Sequence, residues 1–252
     1  MSRIRLAAIC CLCLLPVACA RHEPEPRTEI HVAAGANLTR ALADLDTAFE
    51  KNTGIRVVPA YGATAMLTQQ IMSGAPYDVL LAADTEHVDQ LIQSGDALAN
   101  SRAIYARGRL VLWAPKRPDF RVIGDIGGPG VLGIIIAKPE LAPYGAAAVE
   151  AMKNAGLWEK LQSKNIVYAP SVSAAKQFVD TGNGDAAFTA MSLIIDQPGN
   201  YFIVDEKLYH PIQQALCITK NTKDLAAARS FTAFLASDAA SAILRRNGYD
   251  KP

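Results

Sequence analysis

The chain alternates between short runs of apolar, often β-branched residues and longer runs in which apolar residues recur with helical spacing. This alternation occurs three times within the first hundred residues, because EIHVAAG, IRVVPAYG and YDVLLAAD are each followed by an amphipathic run. Each predicted helix ends in a glycine, at Gly54, Gly74 and Gly95, where a left-handed cap is favoured. The βαβαβα order predicts a parallel sheet wrapped by helices.

A second series of the same kind begins at RLVLWAPK, which we expect to form one long strand ending at Pro115. Later strands are predicted in VLGIIIAK, NIVYAP, DAAFTAM and YFIVDE, and PIQQALCITK should form another long strand before two final helices. Two such series joined by two long strands predict one lobe interrupted by the other, with crossings near residues 110 and 215. A two-strand crossover is a natural hinge, and the groove between the lobes is the expected ligand site.

Charge and motifs argue against several functional classes. The 25 Lys and Arg residues balance 24 Asp and Glu residues without a basic stripe, so nucleic acid is not an expected partner. The sequence has no G-x-S-x-G, P-loop or H-E-x-x-H motif, and its four histidines are scattered singly, so neither an enzyme nor a metal centre is expected. GPGVLG at 128–133 matches G-x-G-x-x-G, but it precedes a strand, so we expect a loop.

The first twenty residues, MSRIRLAAICCLCLLPVACA, have the layout of a secretory signal, with two arginines, a short apolar run and then small residues. This predicts a signal peptide over residues 1–20, removed either before Cys19, which would then carry a lipid, or after Ala20. A tether over residues 21–28 would follow. We therefore expect a periplasmic protein, anchored to the membrane if Cys19 is lipidated. Cys217 lies in an apolar strand, where a buried, unreactive thiol is expected.

Four predicted strand-to-helix junctions consist of small or hydroxyl-bearing residues: AAGANLT, AYGATAM, LAPYGAAA and APSVSAA. The first turn of a helix has several N–H groups without internal partners and is partly positive, so an anion is its natural guest. In a parallel α/β lobe these turns lie at the carboxyl edge of the sheet, so the first two junctions should share one rim and the last two the rim of the other lobe. The alternative is ordinary capping, because Asn37, Thr64 and Ser171 are favoured cap residues.

The centres of the four junctions contain no charged residue. A site for a protonated anion such as hydrogen phosphate gains from a carboxylate acceptor, and a site that uses ion pairs would show Arg or Lys. Arg40 and Lys176 lie one turn further along, where they would only adjust the field. We therefore predict a small, fully ionised oxyanion held by neutral donors, with an affinity nearly constant between about pH 6 and 8.

Several segments in order resemble the periplasmic molybdate-binding proteins of ABC transporters, the ModA family: VAAGANLTRAL, FEKNTGIRVV, YGATAMLTQQIMSGAPYDVLLAAD, LVLWAPK, PYGAAAVEAM and ILRRNGY. The resemblance covers nearly the whole chain after the predicted signal. It implies an α/β fold of the two-lobed periplasmic-binding-protein type II, with two parallel-type sheets flanked by helices and a two-strand hinge. Lobe 1 would comprise residues 29–109 and 216–252, and lobe 2 residues 110–215.

The same resemblance implies that a monomer captures molybdate or tungstate, uses no cofactor, binds molybdenum only as the oxyanion, and delivers it to an ABC permease in the inner membrane. The family's ligand positions fall on two residues of each lobe, and three neighbours are secondary candidates. The four ligand positions are Asn37, Thr64, Tyr144 and Val172, the last two through main-chain N–H groups, and the secondary candidates are Ala36, Ala63 and Ala65.

Two departures from the family pattern affect the expected donors. Many members have serine where Asn37 stands, so the donor here would be the side-chain amide nitrogen. Many also have a tyrosine in a later strand that touches the anion, where this chain has Ala190. We expect the Tyr144 hydroxyl to turn toward the anion and replace that donor, the alternative being that Tyr144 packs at the lobe interface.

Three other functions stay open at this point. The chain could be a receptor for sulfate or another tetrahedral oxyanion, which the sequence does not distinguish from molybdate. It could be a lipoprotein sensor that reports the anion without transporting it. The third alternative is an anion-activated enzyme, against which no motif combines a nucleophile, a base and an orienting group.

Overall fold

The computed structural model describes residues 28–162 and 165–252. It contains two five-stranded sheets with helices packed on their faces. The predicted signal peptide, Cys19 and nearly all of the predicted tether lie outside the described residues. Within the described part of the chain, no helix is both long and apolar enough to cross a membrane.

The strands alternate with helices in the order expected from the hydrophobic pattern. The strands are β1 (Glu29–Gly35), β2 (Arg56–Gly62), β3 (Val79–Ala82), β4 (Ala103–Gly108), β5 (Leu110–Trp113), β6 (Gly133–Ala137), β7 (Asn165–Ala169), β8 (Ala186–Ala190), β9 (Tyr201–Ile203) and β10 (Ile212–Ile218). The helices are α1 (Thr39–Thr53), α2 (Thr64–Met72), α3 (Glu86–Ser94), α4 (Pro143–Asn154), α5 (Trp158–Gln162), α6 (Val172–Asp180), α7 (Leu225–Leu235) and α8 (Asp238–Arg246).

The predicted glycine caps of the first three helices are confirmed. Gly54, Gly74 and Gly95 all have positive φ, of 73°, 87° and 80°, which a residue with a side chain rarely adopts. The G-x-G-x-x-G match at 128–133 is a loop that leads into β6, as expected. The pattern missed β4 and the short helix α5.

The two sheets confirm the α/β class and correct one detail of it. Their strand orders are β2-β1-β3-β10-β4, which we call lobe 1, and β7-β6-β8-β5-β9, which we call lobe 2. In each lobe four strands run in one direction and one runs against them: β10 is antiparallel to β3 and β4, and β5 is antiparallel to β8 and β9. The sheets are therefore mixed rather than parallel-type, because β5 and β10 are the strands by which the chain enters each lobe from the other.

The chain crosses between the lobes at two places that lie side by side. RLVLWAPK forms a shorter strand than the one expected to end at Pro115, because β5 covers only Leu110–Trp113. β4 ends at Gly108 in lobe 1, so the first crossing to lobe 2 lies between Gly108 and Leu110. The second crossing lies in residues 204–211, because β10 pairs with β3 and β4 of lobe 1 from Ile212 onward. This crossing precedes the boundary at 216 that the sequence suggested.

The hydrophobic cores show that the two lobes are packed against each other. Lobe 2 has a core around β5, β6 and α4, and the small lobe-1 residues Ala36, Ala63 and Ala83 belong to the same buried cluster. Lobe 1 has separate cores on the two faces of its sheet. One of them contains Cys217, so the predicted burial of this thiol is confirmed, and burial raises its pKa to about 12. The cleft between the two lobes is therefore closed in this structure.

Candidate functional site

The four predicted junctions meet at one small cavity between the lobes. Both lobes contribute to its wall, and its volume is about 10 Å³. The lining residues are Ala36, Asn37, Gly62, Ala63, Thr64, Ala83, Ala142, Pro143, Tyr144 and Val172. The structure thus brings together all four primary candidates and two of the three secondary ones. The sequence did not single out Ala83, which reaches the cavity from the end of β3.

The helix ends at this cavity mostly lack side-chain caps. The 3-10 turn Ala36–Leu38 that precedes α1, and the helices α2 and α4, begin without a side-chain hydrogen bond to their first turn. Only α6, among these four, is capped, because the Ser171 hydroxyl accepts a hydrogen bond from the Ala174 N–H at 3.2 Å. The capping alternative is therefore wrong for Asn37 and Thr64 and confirmed for Ser171.

Main-chain donors at the cavity are left available by this arrangement. Asn37, Thr64, Tyr144 and Val172 each lie in the first turn of their helix, where N–H groups have no partner within the helix. Among the described residues, none accepts a hydrogen bond from these four N–H groups. Buried N–H groups are almost always paired, so the cavity is suited to a guest rich in acceptor oxygens.

Thr64 adds a side-chain donor to the lobe-1 wall. Its side chain is 1% exposed, and its hydroxyl oxygen accepts a hydrogen bond from the Ala83 N–H at 3.2 Å. No described residue accepts the hydroxyl proton of Thr64. The Ala83 contact therefore fixes the oxygen at the cavity wall and leaves its proton for a ligand.

The Asn37 side chain does not act as expected. Its amide nitrogen Nδ2 donates to Gln214 Oε1 at 2.7 Å and to Tyr249 Oη at 2.8 Å, so both of its hydrogens are used within the protein. The prediction of a side-chain amide donor at this position is therefore wrong. What Asn37 offers the cavity is its main-chain N–H, and its side chain holds the turn in place.

The Tyr144 hydroxyl lies beside Gly108, at the hinge. An added Cβ at Gly108 would lie 2.1 Å from Tyr144 Oη and 3.0 Å from Gln214 Nε2, and neither Gly108 nor Gln214 lines the cavity. The phenol therefore packs at the hinge, with no hydrogen-bond partner among the described residues. This position favours the packing alternative over the expected replacement of the family tyrosine by this hydroxyl. Burial raises the pKa of the phenol well above its usual value, so it is neutral.

Two further positions lie outside the cavity wall. The Ala65 N–H donates to the Leu141 carbonyl of lobe 2 at 3.1 Å, so this secondary candidate joins the lobes instead of facing the cavity. Ala190, at the end of β8, is fully buried and is not among the lining residues. The lobe-2 wall therefore consists of the starts of α4 and α6.

The cavity is electrically neutral apart from its dipoles. Among the described residues that line it, none has a carboxylate, an amine, a guanidinium or an imidazole. Arg40 forms an ion pair with Asp196, and Lys176 one with Asp180 at 2.5 Å, so both nearby cations are compensated. A guest would therefore interact with oriented N–H and O–H groups and with the positive ends of the helices.

Comparisons with known proteins agree with this architecture. The family model for bacterial extracellular solute-binding proteins matches residues 30–250. The chain is 37% identical over 229 residues to the molybdate-binding protein ModA of Azotobacter vinelandii, covering 88% of this chain and 89% of that protein. It is 35% identical over 229 residues to ModA of Rhodobacter capsulatus, with 90% of each chain covered.

A solved structure supports the fold directly. The periplasmic molybdate-binding protein of Azotobacter vinelandii matches this chain with a TM-score of 0.85 at 35% identity, covering 88% of this chain and 99% of that one. This match confirms the type II periplasmic-binding-protein fold and the family resemblance seen in the sequence. The chain belongs to the bacterial extracellular solute-binding protein family.

Proposed function

We propose that this protein captures molybdate, and tungstate with it, between its two lobes and delivers the anion to an ABC permease in the inner membrane. The observation that carries the proposal is the convergence of four helix starts, two from each lobe, on one neutral cavity. The named ligand of the similar proteins, molybdate, has the charge and the acceptor oxygens that such a cavity requires.

The donor set favours a dianion over a protonated anion. Molybdate, tungstate and sulfate are fully ionised near neutral pH and offer acceptors only. Hydrogen phosphate also carries a proton, which needs an acceptor, and no carboxylate lines the cavity within the described chain. Its binding would leave that proton unpaired, which costs roughly 1–3 kcal/mol.

Several directed donors are needed to replace the hydration of a dianion, on the order of six to eight. The N–H groups of Asn37, Thr64, Tyr144 and Val172 and the Thr64 hydroxyl supply five of these, and the secondary candidates Ala36 and Ala63 are proposed to contribute the rest. No single lobe contains the full set. The bound anion therefore favours the closed form, because only closure places both halves of the donor set on it.

The remaining features of the proposal follow the family. The protein acts in the periplasm as a monomer, without enzymatic activity, a cofactor or nucleic acid, and molybdenum enters only as the bound oxyanion. Cys19 anchors it to the membrane if the signal peptide is cleaved before that residue. Deletion of a neighbouring permease gene should abolish molybdate uptake without affecting binding, and this separates a transport receptor from a sensor.

A melting-temperature screen against molybdate, tungstate, sulfate, phosphate and chromate tests the ligand. A ligand present at a hundred times its Kd adds about 2.7 kcal/mol to the free energy of unfolding. For a chain of this size that corresponds to a rise in Tm of roughly 5–10 °C. We expect this rise with molybdate and tungstate. A rise with sulfate alone would make the protein a sulfate receptor, and no rise with any of the five would refute oxyanion capture.

A further inference from the structure

The main-chain carbonyl of Asn37 receives hydrogen bonds from both lobes. Tyr249 of lobe 1 donates its hydroxyl to this oxygen at 2.9 Å, and Ser192 of lobe 2 donates its hydroxyl at 2.8 Å. Asn37 and Ser192 are each 1% exposed. The Ser192 contact is therefore a buried hydrogen bond across the cleft, made to a residue that also lines the anion cavity.

The lobe-1 half of this arrangement does not depend on closure. Asn37 Nδ2 is held by Gln214 and Tyr249, and Gln214 Nε2 donates to the Ile212 carbonyl at 3.2 Å. All of these groups belong to lobe 1. Burial raises the pKa of the Tyr249 hydroxyl, so it stays protonated and remains a donor to the Asn37 carbonyl. The anion-binding turn is thus preassembled in lobe 1.

Ser192 reaches that turn from the other lobe. It lies in the 3-10 turn Met191–Leu193 directly after β8, and the Met191 N–H donates to the Arg109 carbonyl at the hinge, at 3.0 Å. An added Cβ at Gly248 would lie only 2.9 Å from Met191 Cγ, which shows how closely this turn packs against the end of α8. Separation of the lobes would remove Ser192 from Asn37.

We propose that Ser192 is a positioning residue that latches the closed cleft and slows release of the anion. The proposal rests on the proposed function, because it concerns the same cavity. Its physical basis is separate, because the hydroxyl bonds to the protein and not to the anion. The latch lowers the free energy of the closed form with or without a ligand.

Other contacts across the cleft differ from this one in kind. The bond from the Ala65 N–H to the Leu141 carbonyl is made by the main chain and is insensitive to side-chain substitution. The Arg40–Asp196 ion pair lies at the rim, where its side chains are 39% and 66% exposed, so salt should screen it. The buried Ser192 bond should be nearly independent of salt. This difference gives the experiment a clear signature.

The test compares the Ser192→Ala and Arg40→Gln variants with the wild type by stopped-flow kinetics with molybdate, at low and at high salt. We expect Ser192→Ala to raise koff about fivefold at both salt concentrations, the effect of one neutral hydrogen bond, and to leave kon within about twofold. Arg40→Gln should raise koff less, and only at low salt. Ser101→Ala is the matched control, because its hydroxyl bonds within lobe 1 and accepts from the Ile218 N–H at 2.9 Å.

A second measurement separates this proposal from the proposed function. Fluorophores on Lys51→Cys and Glu159→Cys, one in each lobe, report the closed fraction in anion-free protein. Ser192→Ala should lower that fraction, and its anion-free Tm should stay within about 2 °C of wild type, because Tyr249 still satisfies the Asn37 carbonyl. If no oxyanion binds the wild type, the proposed function fails, but the closed fraction still tests the latch. Unchanged koff or an unchanged closed fraction in Ser192→Ala would overturn the proposal.

Discussion

The two walls of the cavity are built differently, although each consists of helix starts. In lobe 1, the Thr64 hydroxyl faces the cavity, and the Asn37 side chain is tied to Gln214 behind it. In lobe 2, Tyr144 and Val172 offer main-chain N–H groups, and the Tyr144 phenol packs at the hinge. Side-chain substitutions should therefore affect binding strongly in lobe 1 and weakly in lobe 2.

The largest effect is expected from a charge placed on the lobe-1 wall. Ala63→Asp puts a carboxylate beside a dianion, and each unit charge at about 4 Å costs about 4 kcal/mol in a protein-like environment. Molybdate affinity should fall by more than about 1,000-fold, as measured by calorimetry. Ala63→Asn, which has the same size without the charge, should bind better than Ala63→Asp. Equal losses in the two variants would mean that steric exclusion, and not charge, is responsible.

Loss of the side-chain donor in lobe 1 comes next. Thr64→Val keeps the shape of the side chain and removes the hydroxyl, so a hydrogen bond to a charged ligand is lost. That bond is worth roughly 1.5–3 kcal/mol, or a decrease in affinity of roughly 10- to 150-fold. Thr47→Val serves as the control, because the Thr47 hydroxyl donates to the Ala43 carbonyl on the exposed face of α1. A loss below about threefold in Thr64→Val would show that the hydroxyl does not contact the anion.

The packing of lobe 2 against the hinge is tested at Gly108. Gly108→Ala would place a methyl group 2.1 Å from Tyr144 Oη and 2.9 Å from Cζ, so closure should be hindered. Overpacking of this kind costs roughly 1–3 kcal/mol, which predicts a decrease in affinity of roughly 5- to 150-fold. Gly124→Ala is the matched control, because its nearest neighbour is 3.9 Å away.

A compensating variant sharpens this prediction. Tyr144→Leu lacks the aromatic atoms that the new methyl group would meet, so the double variant Gly108→Ala/Tyr144→Leu should bind molybdate better than Gly108→Ala alone. Isothermal titration calorimetry of the two single variants and the double variant gives the coupling between the two positions. Strict additivity would contradict the contact.

The lobe-2 side chain itself should matter little to the anion. Tyr144→Phe removes only a hydroxyl that lies against Gly108, outside the cavity wall, and keeps the main-chain N–H. Molybdate affinity should change by less than about threefold. A decrease of tenfold or more would place the phenol on the anion, in which case the two walls would not differ as described.

The smallest effect on binding is expected from pH, although stability should change with it. Affinity should be nearly flat from about pH 6 to 8, because no described lining residue titrates there. Burial and the neighbouring Glu50 raise the pKa of Asp46 to about 7 in the folded protein, against an ordinary value of 3.8. Between pH 3.8 and about pH 7, Asp46 is therefore protonated in the folded protein and ionised in the unfolded protein.

It follows that Asp46 favours folding most at low pH, and that this contribution is lost as pH rises toward about 7. Urea unfolding at pH 4, 5, 6, 7 and 8 should show a free energy of unfolding that falls by up to about 1.4 kcal/mol per pH unit from this group. The slope should be smaller in Asp46→Asn. An unchanged slope in that variant would assign the pH dependence to other groups.

Local signals in the sequence were sufficient to predict where the first three helices end and where the four strand-to-helix junctions lie. Glycine adopts the positive φ seen at Gly54 and Gly95 far more readily than residues with a side chain, so those helix ends could be predicted from single residues. Most of the lining positions follow from the junctions, because helix starts lie at the carboxyl edge of parallel strands. The resemblance to a known family then selected Tyr144 and Val172.

The directions of two polar side chains could not be read from the sequence. Asn37 is turned by Gln214 and Tyr249, which are 177 and 212 residues away along the chain, and no local pattern connects them. Tyr144 occupies the space left by the missing side chain of Gly108, which depends on how the two crossings pack. Both outcomes are set by tertiary contacts at the hinge.

A crystal structure with bound molybdate, located by the anomalous scattering of molybdenum, tests the shared neutral site most directly. We expect a single molybdenum peak between the lobes, with its oxygens about 2.7–3.2 Å from the main-chain nitrogens of Asn37, Thr64, Tyr144 and Val172. An ion contacted by only one lobe, or paired with an arginine or lysine side chain, would contradict the proposed mode of binding.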